Sequence, residues 1–174
     1  MRRRVLALCI LAAAPACHRD SYYRPISMNG VQFVAQAVRW GASSDTVDVW
    51  VTIRNTTEYA REIRQGGCPP SAQFVTARVR KNEVIHKWDW IAMQTALAKK
   101  QGALFGCPMP LYVGVIRGGY GTVYKVFRIA AKDVLGDSLQ PGPYAVTLVL
   151  PVQGVPPIPA GVVDLPADGL RLGP

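Results

Sequence analysis

Apolar and polar residues alternate along much of the chain, which is the pattern of β-strands with one buried face. The clearest case is TVDVWVTIRN, residues 46–55. A period of two sends neighbouring side chains to opposite faces of a strand. The face expected to be buried carries Val47, Val49, Val51 and Ile53. The opposite face carries Trp50, Asp48 and Thr52, which makes these three residues candidates for contact with a binding partner.

Other short segments rich in β-branched and aromatic residues are separated by turn residues. The segments are 31–40, 58–65, two strands within 72–90 joined at 81–83, 111–116, 122–131 and 144–152. About seven short strands at regular spacing predict an all-β fold, an immunoglobulin-like antiparallel β-sandwich. Residues 91–103 fit either one short helix or a long loop.

The composition divides the chain into four parts. Residues 1–16 are predicted to be a signal peptide, 17–30 a polar tether, 31–152 the sandwich, and 153–174 a Pro- and Gly-rich C-terminal tail. The sandwich is long enough to bury a core of its own.

The N-terminus has the layout of an export signal. Three arginines precede an apolar run that is too short to span a bilayer, and Ala14-Pro15-Ala16 provides small residues before Cys17. Small residues ending at a cysteine resemble the lipobox of bacterial lipoproteins, and this resemblance implies that Cys17 is the lipid-bearing first residue of the mature chain. The alternative is an ordinary secretory signal that is cut before a cysteine.

The number of cysteines fits a lipid on Cys17. Cys9 leaves with the signal, so three cysteines remain, and an odd number in an exported protein leaves one thiol to be explained. With Cys17 lipidated, Cys68 and Cys107 remain as a predicted disulfide. Two free thiols in a reducing cytoplasm are the alternative, which the signal disfavours.

Charge and motifs exclude several classes of function. The formal charge of +9 falls to +6 without the signal, and the basic residues are scattered, so a nucleic-acid partner is not expected. No C-x2-C spacing suggests a metal, and no cofactor is expected. His86, a candidate general base, lies within a predicted strand, and the sequence has no G-x-S-x-G motif that would supply a nucleophilic serine. Asp89, a candidate acid, lies between two tryptophans, and no second acid is suggested nearby to complete a carboxylate pair. We therefore expect no catalysis.

Three segments resemble a known kind of module. DVWVTIRNTT is similar to the second strand of bacterial immunoglobulin-like modules, and HKWDW and LQPGPYAVTLVL resemble strands of the BsuPI-type proteinase inhibitor domain. The resemblance implies an immunoglobulin-like sandwich over residues 31–152. It departs at RGGYGT, residues 117–122, where the family has a Pro-Gly-Glu turn. The glycines there are typical of a tight turn into a strand.

Together these features predict a lipid-anchored, extracytoplasmic β-sandwich that binds or scaffolds in the bacterial cell envelope. Its expected partners are the membrane, through the lipid, and a protein or cell-wall component. One alternative is a proteinase inhibitor that presents residues 91–110 as a loop stiffened by the Cys68–Cys107 bridge. A second alternative is a small envelope hydrolase.

Overall fold

The computed structural model describes residues 24–39, 46–66, 72–79, 83–106, 111–136 and 140–165. Within these ranges the chain forms ten strands and two helices. The strands are β1 Ile26–Met28, β2 Val31–Arg39, β3 Thr46–Asn55, β4 Arg61–Gly66, β5 Gln73–Arg78, β6 Glu83–Asp89, β7 Leu111–Ile116, β8 Thr122–Ala130, β9 Gly142–Val149 and β10 Ile158–Leu165. The helices are α1 Trp90–Lys100, after β6, and α2 Ala131–Leu135, after β8.

The strands form three antiparallel sheets, which confirms the predicted all-β sandwich. The first sheet has the order β1-β2-β3-β8, the second has the order β10-β9-β5-β6, and β4 pairs with β7. Phe74 of the second sheet meets Phe127 of the first, with ring centroids 6.1 Å apart, so the two larger sheets pack face to face.

The predicted alternation in β3 is confirmed. Val47, Val49 and Val51 are at most 1% exposed, whereas Trp50 between them is 43% exposed. They pack with Phe33 of β2, and with Phe74 of β5 on the opposite sheet, in a single hydrophobic core. Burial of alternate side chains fixes the register of β3, because a slip by one residue would place Trp50 and its neighbours inside the core.

The prediction that residues 153–174 form a tail is wrong for 158–165, which are strand β10. Ile158 and Ala160 of β10 are fully buried, and the strand pairs with β9. Its proline and glycine have local explanations. β10 is an edge strand, where proline is tolerated, and Gly161 (φ 95°) lies where the register shifts between Pro159 and Val162. The predicted tether also ends early, because residues 26–28 form β1 beside β2.

Residues 91–103, for which helix and loop were both considered, contain helix α1 up to Lys100. Asp89 caps the helix, since its Oδ1 accepts from the N–H groups of Ile91 (2.8 Å) and Ala92 (3.1 Å). Its other carboxylate oxygen accepts from Gln73 Nε2 at 2.6 Å. This cap satisfies N–H groups that the first turn leaves unpaired, so Asp89 has a structural role that neither interpretation from the sequence included.

The buried side chain of Asn55 joins the end of β3 to the turn before β8 through hydrogen bonds. Asn55 is fully buried, and its Nδ2 donates toward the carbonyls of Tyr59 (2.7 Å), Ile116 (3.2 Å) and Arg117 (3.0 Å). Its Oδ1 accepts from the N–H of Thr57 at 2.9 Å and from the Thr57 hydroxyl at 2.8 Å. The NTT sequence at 55–57 is therefore a structural turn, and its amide is inaccessible to glycosylation in the folded chain.

The glycine-rich segment is the predicted tight turn. Gly119 and Tyr120 have φ of 66° and 67°, the left-handed region that glycine adopts most easily. Gly118 is pressed against the loop between β3 and β4, so closely that a Cβ there would clash with the backbone carbonyl of Glu58. Any other residue at position 118 would separate this turn from the loop that Asn55 holds.

We predict that Asn55→Ala destabilises the fold by about 3 kcal/mol or more, because each buried polar group left without a partner costs roughly 1–3 kcal/mol. Urea unfolding followed by far-UV circular dichroism measures the loss. Thr57→Ala is the matched control, since it removes one hydrogen-bonding hydroxyl from the same network, and we expect it to cost about 1 kcal/mol. An Asn55→Ala loss no larger than that of the control would contradict the central role of the amide.

Candidate functional site

The outward side chains of the first sheet form a surface that we call the Trp50 face. Its strands are held in register, with Trp50 opposite Gln36 on one side and Val126 on the other. The face comprises Gln32, Val34, Gln36 and Val38 of β2, Asp48, Trp50, Thr52 and Arg54 of β3, and Thr122, Tyr124, Val126 and Arg128 of β8.

Large apolar side chains are exposed at the centre of this face. Trp50 is 43% exposed, Val126 46% and Tyr124 70%. Since Tyr124 lies opposite Thr52, it is the diagonal neighbour of Trp50, at about 7 Å across the strands. Thr52 is half-buried in the same row. The alternation in the sequence therefore predicted correctly that Trp50 and Thr52 point outward. Tyr124 and Val126 belong to the same face only because β8 pairs with β3, which the sequence pattern alone does not show.

Asp48 lies on the Trp50 face but is covered. Its side chain is 1% exposed, because Arg128 on the next strand spans both carboxylate oxygens, with Nε–Oδ1 and Nη2–Oδ2 distances of 2.8 Å. The carboxylate is therefore engaged within the protein and not presented to a partner. Sequence reasoning missed Arg128, because nothing within the β3 segment shows which residue lies opposite Asp48.

The ion pair also acts on Arg128, whose side chain is 72% exposed. The hydrogen bonds to Asp48, together with its negative charge, raise the pKa of the Arg128 guanidinium above its ordinary value. Arginine is already protonated at any physiological pH. Arg128 therefore stays protonated and balances the negative charge of Asp48 wherever that carboxylate is ionised. The end of the face that carries Asp48 and Arg128 then has no net charge from this pair.

At the other end of the face, Arg54 lies over the ring of Tyr120, 5.0 Å from its centroid. The left-handed backbone of Tyr120 turns this exposed ring toward the end of β3. A cation held over an aromatic ring is partly satisfied by the electron density of that ring. Both arginines of the face are thus engaged with other groups of the protein.

A cleft adjoins the Trp50 face along β8, with a volume of about 310 Å³. We call it the β8 cleft. Trp88, Trp90 and Met93 form one wall, and the consecutive residues 126–129 form the other, with Asp133 beside them. Because consecutive side chains of a strand point to opposite faces, a run of four lining one cleft means that the edge of β8 itself borders it. Val126 and Arg128 belong to both surfaces, so the cleft continues the face.

The wall tryptophans are half-buried and are held by other rings. Trp88 packs against Phe74, with ring centroids 5.4 Å apart, and Trp90 meets Phe105 edge-on at 5.8 Å. Trp88 also packs against the hydrophobic core, and both tryptophans leave some surface toward the cleft.

The residues considered for catalysis are occupied by structural contacts. His86 is half-buried, and its Nε2 donates to the carbonyl of Asp133 at 2.7 Å, while the ring packs on Gly136. Asp89 caps α1, as described above. Among the residues that the structure describes, no group of three His, Cys, Asp or Glu side chains is placed to hold a metal ion.

A larger cleft, of about 820 Å³, opens between the β1–β2 turn and β4. Its floor is formed by Val31 and Phe33, and Arg61, Glu62 and Arg64 line its side. Arg61 is partly occupied, since its Nε donates to the Thr57 hydroxyl at 3.2 Å. The three charges are mixed in sign and no aromatic side chain is exposed there, so we regard the Trp50 face as the better candidate.

Other residues predicted from the sequence cannot be placed. Cys17, Cys68 and Cys107 lie outside the described residues. Residues 91–110 were proposed as the inhibitory loop of the alternative function. Residues 91–100 belong to helix α1, and of the remainder the structure describes residues 101–106. No helix in the described ranges is long and apolar enough to cross a membrane.

We predict that Arg128→Ala lowers the melting temperature clearly, although its side chain is exposed, because the buried Asp48 carboxylate loses a bidentate partner. Arg54→Ala, at the other end of the same face, is the control and should change the melting temperature little. In the Asp48→Asn background, Arg128→Ala should cost much less. Equal costs in both backgrounds would show that the two side chains do not stabilise each other.

The comparisons with known proteins add no relative from which a function could be transferred. No protein-family model matches the chain, and no curated protein shows significant sequence similarity to it.

Proposed function

We propose that the protein is a lipid-anchored binding module of the bacterial cell envelope, which holds a partner on the Trp50 face and does not catalyse a reaction. The observation that carries this proposal is the exposure of Trp50, Tyr124 and Val126 together on one rigid sheet. Tryptophan and tyrosine are enriched at binding hot spots, and grouped exposed apolar side chains commonly mark contact sites.

The position of these side chains favours binding. Trp50 stands on the inner strand β3, directly above the buried stripe of that strand, and Tyr124 and Val126 stand beside it on the edge strand β8. A side chain held by a packed strand loses little conformational freedom when a partner docks. The half-buried Val34 and Val38 and the ion pair around Asp48 surround the tryptophan, which restricts its motion further.

The predicted signal peptide and lipobox support a position at a membrane surface. Between Cys17 and the first residue of β1 lie eight residues, which span at most about 30 Å when fully extended. A lipid on Cys17 would therefore keep the sandwich close to the bilayer. The predicted export signal supports an extracytoplasmic location.

A Cys68–Cys107 disulfide is part of the proposal. Gly66 at the end of β4 is paired with Leu111 at the start of β7. Cys68 and Cys107 are therefore two and four residues from positions that face each other across a sheet. Paired residues in antiparallel strands are about 5 Å apart, so the intervening segments are short enough for the two sulfurs to meet.

We predict that the Cys17→Ser protein, produced without residues 1–16 so that it is soluble, binds washed envelopes of the cells that make the native protein, and that Trp50→Ala in this background abolishes most of the binding. Co-sedimentation measures the retained fraction. Since Trp50 is partly exposed, its replacement should cost about 1 kcal/mol of stability, less than the roughly 3 kcal/mol or more of a buried tryptophan.

Tyr59→Ala is the matched control for this experiment, because Tyr59 is an aromatic residue with 76% exposure on the loop after β3, outside the strand positions that form the Trp50 face. It should leave envelope binding unchanged. Equal binding by the Trp50→Ala protein, with its fold verified by circular dichroism, would refute the Trp50 face as the contact surface.

The anchor is tested separately. We predict that Cys17→Ser releases the protein from membranes and that globomycin, which blocks the lipoprotein signal peptidase, makes the precursor accumulate. Membrane fractionation and the mass of the mature N-terminal peptide measure both effects. In untreated cells, membrane-bound protein that keeps the full precursor mass, or that has an unmodified Cys17, would be incompatible with lipidation.

A further inference from the structure

We propose that the Trp50 face and the β8 cleft together bind a linear, uncharged polysaccharide of the cell envelope. The inference rests on the proposed function, since it takes the Trp50 face as the contact surface and names the chemical class of its ligand. Four properties of the surface select this class: its aromatic rings, its polar side chains, its charge and its size.

The first argument concerns the side chains on the face. Trp50 and Tyr124 are diagonal neighbours, a relation that puts strand positions about 7 Å apart, within reach of aromatic side chains. Sugar rings have faces of C–H groups that pack on aromatic rings, and edges of hydroxyl groups that need hydrogen-bonding partners. Gln36 stands opposite Trp50 and is exposed, and Thr52 lies opposite Tyr124. Amide and hydroxyl groups of this kind both donate and accept, as recognition of sugar hydroxyls requires.

The second argument concerns charge. The central row, Gln36–Trp50–Val126, contains no ionisable group. The charged side chains lie at the two ends, where Arg128 is paired with Asp48 and Arg54 lies over Tyr120. An acidic partner would have to compete for arginines that already have internal contacts. An uncharged ligand binds the centre without displacing either contact.

The third argument concerns size. Four rows along the strands and three strands across give a surface about 20 Å long and 10 Å wide between backbone positions. A narrow, extended chain of sugar rings fits this length and width.

The β8 cleft extends the site beyond the sheet. It shares Val126 and Arg128 with the face, and its wall offers the partly exposed rings of Trp88 and Trp90. Its volume of about 310 Å³ is at the lower end of small-molecule pockets, the size for one ring-sized group. Asp133 at its rim can accept hydrogen bonds from hydroxyl groups. A polysaccharide lying on the face would place one further unit here.

The test uses envelopes treated in two ways and the soluble Cys17→Ser protein. Proteinase K removes envelope proteins, and periodate cleaves the vicinal diols of sugars. We expect retention to survive proteinase K, to fall several-fold after periodate, and to be insensitive to about 0.5 M salt, which screens ionic contacts. Trp50→Phe, which keeps an aromatic ring, should retain much of the binding that Trp50→Ala loses.

The possible failures are distinguishable. Loss of retention after proteinase K would identify a protein partner and overturn the polysaccharide, while the Trp50 face would stand as a contact surface if Trp50→Ala still abolished binding to untreated envelopes. Loss of retention in high salt would point to an acidic polymer and would also overturn this inference. Retention that Trp50→Ala leaves unchanged would overturn both proposals.

Discussion

The buried amide of Asn55 holds together the end of the sandwich on which the Trp50 face depends. It is the last residue of β3, and it binds the carbonyls of Ile116 and Arg117 at the end of β7 and just after it. The turn at 118–121 is thereby fixed where β8 begins, and the backbone N–H of Asn55 donates to the carbonyl of Gly121 at 2.9 Å. Because this bond starts the β3–β8 pairing, it sets which β8 residues stand beside Trp50.

At the opposite end of the β3–β8 pair, an ion pair joins the two strands. Asp48 and Arg128 are cross-strand partners. The buried carboxylate needs a cationic hydrogen-bond donor opposite it, whereas an apolar pair would accept any apolar neighbour. A buried ion pair is weak evidence for stability, since desolvation offsets much of its attraction. Its effect here is to make any shifted register costly, because the carboxylate would then be buried without its guanidinium. The aromatic centre of the face thus lies between two polar contacts that specify one alignment.

Local patterns predicted most strands and the turn at 118–121, but the contacts made over long sequence distances could not be predicted. Alternation identified the buried stripe of β3 because it is a property of the strand alone. The Asp48–Arg128 pair joins residues 80 positions apart, so it requires knowledge of the strand order. β10 was missed because its proline and glycine are disfavoured in strands in general, although an edge position and a register shift accommodate them. The cap formed by Asp89 was missed because the helix after it was uncertain.

The outer edge of β8 bears on how the Trp50 face would contact the proposed partner. In the described part of the chain β8 pairs only with β3, so its outer edge offers N–H and C=O groups to another strand. An inward-pointing charge on an edge strand discourages such pairing. Lys125 has this orientation, since it lies opposite the buried Val51 and its Nζ donates to Gln65 Oε1 at 3.4 Å. Another strand added at this edge would have to cover that lysine. Contact through side chains on the Trp50 face is therefore favoured over backbone pairing, and a ligand of sugar rings requires no strand to pair with.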